Sequence, residues 1–324
     1  MPLGKTKVIV TRRLPAPVEA RMLDLFEARL NPDDRPMSAA ELIEALKDAE
    51  VLAPTVSDRI TAEVIEAAGP NLTLIANFGV GVDHIDIKAA ASRGIKVSNT
   101  PGVLTDDTAD IALSLILACA RRTGEAERAL RAGGFHGWHP TWMMGQKLSG
   151  KRLAIVGMGR IGQATAHRGR AFGMTIDYHN RSRLPEATEA ELGATYWPDL
   201  DAMLASADVI SLSCPRTPET YHLMSAERLA RLKPSAILVN TARGDVVDEA
   251  ALAEALIAGK LAAAGLDVFE QEPKIHPRLL EAPNTVLYPH LGSGTIETRT
   301  AMGDKVIANI LAMVEGRPLP DPVL

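Results

Sequence analysis

The 324-residue sequence is poor in several features that mark particular classes of protein. Its two cysteines, Cys119 and Cys214, stand in a helix-like and a strand-like context and lack the spacing of a metal site. That scarcity excludes a disulfide-built scaffold and predicts reduced thiols and a cytoplasmic location. Aromatic residues make up only 4% of the chain, and the net charge is −5 with no basic run. These values argue against a nucleic-acid partner.

Long apolar runs are also missing. The longest, Ile111 to Ala120, is interrupted by Ser114 and is far too short to cross a bilayer. The first five residues lead directly into a strand-like stretch, Lys7 to Thr11, which leaves no room for a signal peptide. We therefore expect no membrane partner.

What is present is typical of a globular α/β protein, with 46% hydrophobic and 23% charged residues. The length fits two domains. Short apolar runs alternate with helical stretches, among them a helix predicted from about Pro17 to Leu30. This alternation predicts two Rossmann-like, doubly wound parallel-sheet domains with a cleft between them. We expect residues 1–100 and 291–324 to form a substrate-binding (catalytic) domain and residues 101–290 a dinucleotide-binding domain.

One glycine motif organises the second domain. The apolar run Leu153 to Val156 ends in Gly157, Gly159 and Gly162, spaced Gly-x-Gly-x-x-Gly, and a helix is predicted from Gln163 onward. A strand that turns through glycine into a helix gathers backbone N–H groups and the positive end of the helix dipole at one point. The motif therefore predicts a dinucleotide site, although glycines also punctuate ordinary βα turns.

The next strand end indicates which dinucleotide is bound. Asn180 occupies the place where an NAD-binding protein has Asp or Glu, and Arg181 and Ser182 follow directly. An acid would repel a 2′-phosphate, whereas guanidinium and hydroxyl groups can bind it by charge-assisted hydrogen bonds. The alternative is that these polar residues form a solvated loop. We predict NADP as the preferred cofactor, with NAD possible, and no metal.

Three further strand ends carry the polar residues Arg243, Glu272 and His290. The carboxyl ends of strands in an open α/β sheet line the ligand crevice, so these loops can converge. Arg243 could bind a carboxylate and polarise a carbonyl, while His290 exchanges a proton with the oxygen and Glu272 positions the imidazole. Taken singly, each residue also suits a loop salt bridge or a hydrogen-bonded loop histidine.

The motifs together resemble the D-isomer-specific 2-hydroxyacid dehydrogenase family. The resemblance rests on Gly157 to Gly162, Asn240 to Asp245, Gly265 to Pro273 and Pro289 to Ser293, and in the first domain on Asn77 to Asp86 and Asn99 to Gly102. It runs nearly end to end, and within the family the chain looks most like the glyoxylate/hydroxypyruvate reductases.

The resemblance implies a catalytic set of Arg243, Glu272 and His290, with His290 as the general acid/base. It implies that the loop Gly79, Val80 and Gly81 binds the substrate carboxylate through backbone N–H groups, alongside Arg243 and His290. It also implies a homodimer joined through the cofactor domain, with Trp138 a candidate to approach the partner's substrate. The expected cofactor-binding residues are Thr108, Gly157, Gly159, Arg160, Ile161, Gly162, Asn180, Arg181, Ser182, Cys214, Thr241, Asp267 and Gly292.

The function expected from the resemblance is reduction of glyoxylate, with hydroxypyruvate as a second substrate, by hydride transfer from NAD(P)H. Two alternatives stay open. The first is a phosphoglycerate or other D-2-hydroxyacid dehydrogenase, although the loops near residues 52–59 and 77–84 offer only Arg59 to bind a substrate phosphate. The second is a dinucleotide-sensing binding protein without catalysis, because fold does not determine function.

Overall fold

The chain is described by a computed structural model that covers residues 5–324. Residues 1–4, on which the expectation of a missing signal peptide partly rests, lie outside the described residues. The chain forms two compact units. Unit 1 contains the described residues up to Leu104 together with Gly294–Leu324, and unit 2 contains Thr105–Ser293. The boundaries predicted from the sequence fall at residues 100 and 290.

Unit 1 is built on a five-stranded parallel sheet with strand order β2-β1-β3-β4-β5. Its strands are β1 (Lys7–Val10), β2 (Glu27–Arg29), β3 (Val51–Ala53), β4 (Leu74–Ala76) and β5 (Lys96–Ser98). Its helices are α1 (Ala16–Leu25), α2 (Ala39–Ala45), α3 (Ala62–Ala67), α4 (Ile87–Ser92) and α13 (Ile296–Val314).

Successive residues of these short strands supply two separate cores. Val8 and Val10 face α1 and α13, whereas Ile9 between them faces the side covered by α2, α3 and α4. The alternation arises because neighbouring side chains of a strand point to opposite faces of the sheet. Helices cover both faces, so apolar residues serve on both sides of the central strands, as expected of a parallel sheet.

The helix predicted over residues 17–30 is wrong in its second half. Helix α1 ends at Leu25, Phe26 is extended and buried, and Glu27–Arg29 pairs with β1 as strand β2. Glu, Ala and Arg are good helix formers, so their local preference favours the wrong structure. Backbone pairing with the edge of β1 outweighs that preference.

Unit 2 is built on a seven-stranded parallel sheet with strand order β12-β11-β10-β9-β6-β7-β8. Its strands are β6 (Arg152–Val156), β7 (Thr175–His179), β8 (Ala194–Tyr196), β9 (Val209–Leu212), β10 (Ile237–Asn240), β11 (Ala263–Leu266) and β12 (Thr285–Leu287). Its α-helices are α5 (Thr105–Arg121), α6 (Thr123–Arg131), α7 (Arg160–Ala171), α8 (Glu186–Leu192), α9 (Leu200–Ser206), α10 (Ala226–Leu229), α11 (Glu249–Ile257) and α12 (Pro277–Glu281). Two short 3₁₀ helices span Pro218–Thr220 and Gly244–Val246.

The long helix α5 packs on one face of this sheet, against α7 and strands β10, β11 and β12. Leu115, Ile116 and Cys119 form its buried stripe. Helices α9 to α12 cover the opposite face. The prediction of two doubly wound parallel α/β units is confirmed. Among the described residues no helix combines the length and the apolar character needed to cross a membrane.

The strand order of unit 2 reverses between β6 and β9. From β6 the sheet continues through β7 and β8 in one direction and through β9, β10, β11 and β12 in the other. Ligands of open α/β sheets bind at the carboxyl ends of the strands beside such a reversal. We therefore expect a ligand site of unit 2 to lie among the loops that follow β6, β7, β9, β10, β11 and β12.

Candidate functional site

The glycine turn after β6 lies at the reversal point and is packed against the neighbouring strand end. Gly157 has a φ of +96°, and a Cβ placed there would lie 2.6 Å from the backbone nitrogen of Cys214. A Cβ at Gly162 would lie 2.2 Å from the carbonyl oxygen of Gly157. Both positions thus exclude a side chain. Cys214 itself is buried, which raises the pKa of its thiol to about 11 and keeps it protonated at neutral pH.

Gly159 differs from these two glycines. A Cβ at Gly159 would meet no protein atom within 4 Å, so the space above it is open. Gly159 is the N-cap of α7, and no side chain of the described residues caps this helix start. The first N–H groups of a helix have no intrahelical acceptor and attract anions. An open, uncapped helix start behind a glycine turn fits the pyrophosphate of a dinucleotide.

Polar atoms without a partner lie at the neighbouring strand ends. The hydroxyl oxygens of Ser213, after β9, and Thr241, after β10, are buried and form no hydrogen bond with any described residue. Buried polar groups normally have a hydrogen-bond partner. Two buried hydroxyl groups without one at the same edge of the sheet therefore indicate a ligand or water that binds there. Thr241 was predicted to contact the cofactor and Ser213 was not. Both fit a bound dinucleotide.

The strand end after β7 separates residues that look alike in the sequence. Asn180 accepts a hydrogen bond from the N–H of Met158 at 2.7 Å, so its side chain supports the glycine turn. Arg181 and Ser182 are exposed. Arg183 forms two hydrogen bonds with Glu189, at 2.9 and 2.7 Å, and is held in that ion pair. Arg181 and Ser182 thus remain the candidates for binding a 2′-phosphate.

Glu272 and His290 are brought together in unit 2. The Oε2 atom of Glu272 lies 2.8 Å from Nδ1 of His290, and about a third of each side chain is exposed. The other oxygen of Glu272 accepts the N–H of Phe269 at 2.9 Å, which fixes the carboxylate. An ionised carboxylate can only accept, so Nδ1 carries the proton and Nε2 is the nitrogen left for chemistry.

The charge balance around Glu272 favours its ionised form. Burial raises the pKa of Glu272, but the hydrogen bond and charge of His290, the N–H of Phe269 and the charge of Arg243 outweigh it. The net pKa lies below the usual value for glutamate, so the residue stays ionised through neutral pH. Arg243 follows β10, and its guanidinium donates to the carbonyl oxygen of Ala242 at 2.8 Å.

Asp267 organises the turn that carries His290. Its two carboxylate oxygens accept the N–H groups of Leu291 and Gly292 at 2.6 and 2.8 Å, and its carbonyl oxygen accepts the N–H of His290. Burial raises the pKa of Asp267, against the hydrogen bond from Leu291 and the charge of His290. Thr108 completes the turn by donating to the carbonyl oxygen of Gly292 at 2.9 Å. Asp267, Thr108 and Gly292, all predicted as cofactor residues, therefore form one bonded unit around His290.

Asn240, for which the sequence predicts no role, shapes the loop of Arg243. Its amide donates to the carbonyl oxygen of Arg243 at 2.8 Å and accepts the N–H of Ala242 at 3.0 Å. An amide that bonds its own chain two and three residues on is a common way to stabilise a turn. The only sign of this role in the sequence is the position of the asparagine at the end of a strand.

Unit 1 contains the loop predicted to bind a carboxylate. Gly79, Val80 and Gly81 follow β4, and their carbonyl oxygens accept hydrogen bonds from asparagine side chains. Asn77 donates to Gly79 and Gly81 at 3.0 and 2.9 Å, and Asn99 donates to Val80 at 2.8 Å. Neither asparagine was predicted to have a role. The side-chain amides of two asparagines thus hold the backbone of this loop in place.

The segment after α6 in unit 2 exposes large apolar side chains. Trp138 is 82% exposed, Met144 is 64% exposed, and Phe135 stacks on Trp142 with ring centroids 5.8 Å apart. An open groove of about 370 Å³ runs along α5 and is lined by Asp110, Leu113, Ser114, Leu117, Ala118, Thr123 and Tyr288. None of the predicted catalytic or cofactor residues lines it. The described residues contain no cluster of three or more His, Cys, Asp or Glu that could hold a metal.

Comparison with known proteins gives two kinds of match. Residues 113–292 match the family model of the D-isomer specific 2-hydroxyacid dehydrogenase NAD binding domain. The chain is 46% identical to a glyoxylate reductase from Thermococcus litoralis, over 98% of this chain and 97% of the relative.

Solved structures agree along the whole length. A protein from Thermus thermophilus superposes with a TM-score of 0.90 at 45% identity, covering 98% of this chain and all of that one. An NADPH-dependent glyoxylate/hydroxypyruvate reductase from Sinorhizobium meliloti, solved with NADP and malonate, gives a TM-score of 0.89 at 37% identity, covering 99% and 97% of the two chains.

Proposed function

The chain belongs to the D-isomer specific 2-hydroxyacid dehydrogenase family, and we propose that it reduces glyoxylate, with hydroxypyruvate as a second substrate, using NADPH. The observation that carries the proposal is the Glu272–His290 pair, held at 2.8 Å beside the positive charge of Arg243. A carboxylate, an imidazole and a guanidinium supply the groups that reduction of a 2-oxo acid needs. The relatives named glyoxylate reductase support the choice of substrate.

We assign the residues the following roles in the reaction. Arg243 binds the carboxylate and the carbonyl oxygen of the substrate, which polarises the carbonyl. When bound, the reduced nicotinamide supplies a hydride to the carbonyl carbon. His290 donates the proton on Nε2 to the oxygen, which becomes the hydroxyl of the product. Glu272 accepts from Nδ1 throughout and stabilises the charged imidazolium before the proton leaves. In unit 1, the N–H groups of Val80 and Gly81 bind the substrate carboxylate.

We propose NADP as the preferred dinucleotide because of the exposed pair Arg181 and Ser182. The glycine turn and the start of α7 bind the pyrophosphate, with Arg160 and Ile161 contributing backbone N–H groups. Asn180 brings no negative charge to the ribose, so a 2′-phosphate is not repelled there. The NADP complex of the Sinorhizobium meliloti relative supports this preference.

We propose further that two copies of the chain associate through unit 2. Trp138, Phe135, Trp142 and Met144 are large apolar side chains exposed within one segment, and exposed apolar patches are common at contacts between proteins. Covering that surface with a second copy removes it from water and would bring Trp138 close to the partner's substrate. Sedimentation of the wild type and of Trp138→Ser tests this, and a monomeric wild type would contradict it.

One assay tests the proposed reaction. The kcat/KM values for glyoxylate, hydroxypyruvate and pyruvate are measured against NADPH and against NADH. The proposal expects glyoxylate with NADPH to give the highest value. Higher values with NADH overturn the cofactor preference, and no cofactor oxidation with any 2-oxo acid favours a dinucleotide-sensing protein instead.

A further inference from the structure

The loop Gly79–Gly81 in unit 1 is held by a fully buried asparagine. Asn77 follows β4, has no exposed surface, and lies two residues before the loop begins. Its Nδ2 atom donates to the carbonyl oxygens of Gly79 and Gly81, so both hydrogens of the amide are used. The N–H of Thr100 also donates to the carbonyl oxygen of Gly79, at 3.1 Å, and Asn99 donates to that of Val80. Asn77 is the side chain that holds the loop at both of its ends.

The neighbouring histidine fixes the orientation of this amide. The Oδ1 atom of Asn77 lies 3.1 Å from Nε2 of His84. Because the amide nitrogen faces two carbonyl oxygens, Oδ1 must face His84 and must accept. His84 therefore carries its proton on Nε2 in this contact. The flipped amide would place an oxygen against two carbonyl oxygens and is excluded.

Carbonyl directions in this loop determine the directions of its N–H groups. In a planar trans peptide the C=O and the following N–H point in opposite directions. Holding the carbonyl of Gly79 therefore aims the N–H of Val80 away from Asn77, and holding that of Gly81 does the same for Val82. Neither these two N–H groups nor that of Gly81 donates to a backbone carbonyl within residues 5–324. Successive N–H groups of this kind can form an anion-binding concavity.

We propose that Asn77 is a positioning residue of this concavity: it sets the N–H of Val80, one of the groups that bind the carboxylate of the 2-oxo acid, while Asn99 holds the peptide of the Gly81 N–H, and Asn77 itself does not touch the substrate. The inference rests on the proposed function and deepens it, because it assigns substrate affinity to a buried amide of unit 1. The chemical step stays with the side chains of unit 2. Loss of Asn77 should therefore weaken substrate binding and leave the chemistry and the cofactor site intact.

The test compares Asn77→Ala and Asn77→Asp with Asn309→Ala. Asn309 is another fully buried asparagine of unit 1, but it bonds to Lys305 and Asp321. We expect Asn77→Ala to raise the KM for glyoxylate about tenfold or more, with kcat changed less than about threefold and the Kd for NADPH unchanged. Asn77→Asp should be at least as damaging because it repels both carbonyl oxygens. Asn309→Ala should leave KM at the wild-type value.

Two further measurements keep the outcomes distinct. If Asn77→Ala does not fold, His84→Ala removes the group that orients the amide and should raise KM in the same direction by a smaller factor. Oxalate binding by calorimetry, with NADPH present, reports on the concavity without any turnover. A wild type that reduces no 2-oxo acid but binds oxalate in an Asn77-dependent way overturns the proposed function and supports the role of Asn77. An unchanged KM and an unchanged oxalate affinity in folded Asn77→Ala, or equal increases in KM for Asn77→Ala and Asn309→Ala, overturn the inference.

Discussion

The two units of this chain share a parallel, doubly covered sheet, and they differ most in the turn that follows the strand beside the reversal of strand order. After β6, unit 2 turns through Gly157 and Gly159 into α7, whose first turn is left uncapped. After β1, unit 1 continues through Thr11 into a loop without glycine, and α1 starts behind Pro15, also without a side-chain cap. The same architecture thus leaves a glycine-lined helix start open for an anion in one unit and not in the other. Function is determined by these loops and not by the sheet.

A second difference concerns the groups each unit offers to a ligand. Unit 2 brings together a carboxylate and an imidazole, Glu272 and His290, near the charge of Arg243. Unit 1 offers backbone N–H groups whose direction is set by neutral amides. Side chains that change protonation can carry out a reaction, whereas fixed N–H groups can only bind. Substitutions in unit 2 should therefore change turnover or cofactor use, and substitutions in unit 1 should change substrate affinity.

The strongest test of that division is His290→Gln. Glutamine cannot exchange a proton at neutral pH, so we expect kcat to fall by roughly two to four orders of magnitude with NADPH binding retained. Steady-state rates and fluorescence titration with NADPH measure the two quantities. His167→Gln, which changes an exposed histidine on α7, is the matched control and should behave as wild type. Wild-type turnover in His290→Gln would show that the His290 side chain takes no part in the reaction.

The glycine turn is tested by two substitutions that differ in their cost to the fold. Gly159→Ala places a methyl group in open space, so its thermal stability should equal that of the wild type. Its affinity for NADPH should nevertheless fall about tenfold or more, because the pyrophosphate has to approach this backbone. Gly162→Ala forces a methyl group against the carbonyl of Gly157 and should also lower Tm. Unchanged NADPH affinity in Gly159→Ala would contradict the dinucleotide role of the turn.

The Glu272→Gln variant separates positioning from proton transfer. We expect kcat for reduction to fall about 10- to 100-fold, because the charged imidazolium loses its carboxylate partner. The pH–rate profile of reduction should also change, because Glu272 is the hydrogen-bond partner of Nδ1 of His290. In the wild type the pKa of Glu272 is lowered. The Glu272–His290 pair therefore stabilises the fold above the ordinary glutamate range and loses this effect as the pH falls through the lowered pKa. A pH–rate profile identical to that of the wild type would show that Glu272 does not act on His290.

The smallest effect is expected from Arg181→Ala. Loss of one exposed guanidinium should reduce the preference for NADPH over NADH by about tenfold, from the roughly 1.5–3 kcal/mol typical of hydrogen bonds to charged groups, reduced by exposure to solvent. Arg183→Ala is the control, because Arg183 is held by Glu189 and its loss should lower stability without changing the preference. An equal preference for NADPH over NADH in Arg181→Ala and the wild type would show that Arg181 does not bind the 2′-phosphate.

The features predicted best are those that depend on local sequence. The glycine turn and the position of Arg243, Glu272 and His290 in loops after strands all follow from spacing along a few residues. Strand β2 was missed because its pairing with β1 outweighs the helix preference of Glu27–Arg29. The short strand β8 beside β7 was not predicted either.

The part of the site that the sequence did not reveal consists of amide hydrogen bonds. Asn77 and Asn240 act through carbonyl oxygens whose directions exist only in the folded loop. The same holds for Arg183, which resembles Arg181 in the sequence and is distinguished from it only by the ion pair with Glu189. Such roles depend on three-dimensional contacts, and residue type alone cannot assign them.

The split of unit 1 has a consequence for the order of events during synthesis. One of its two cores includes Val306, Ile307 and Ile310 from α13, which follow the whole of unit 2 in the chain. A ribosome that has released residues up to Ser293 has therefore delivered every strand and helix of unit 2 but only part of unit 1. The usual order, in which the first domain made is the first to fold, is then reversed. Protease digestion of stalled nascent chains should show a resistant unit 2 while α1 and the sheet of unit 1 are still being cut.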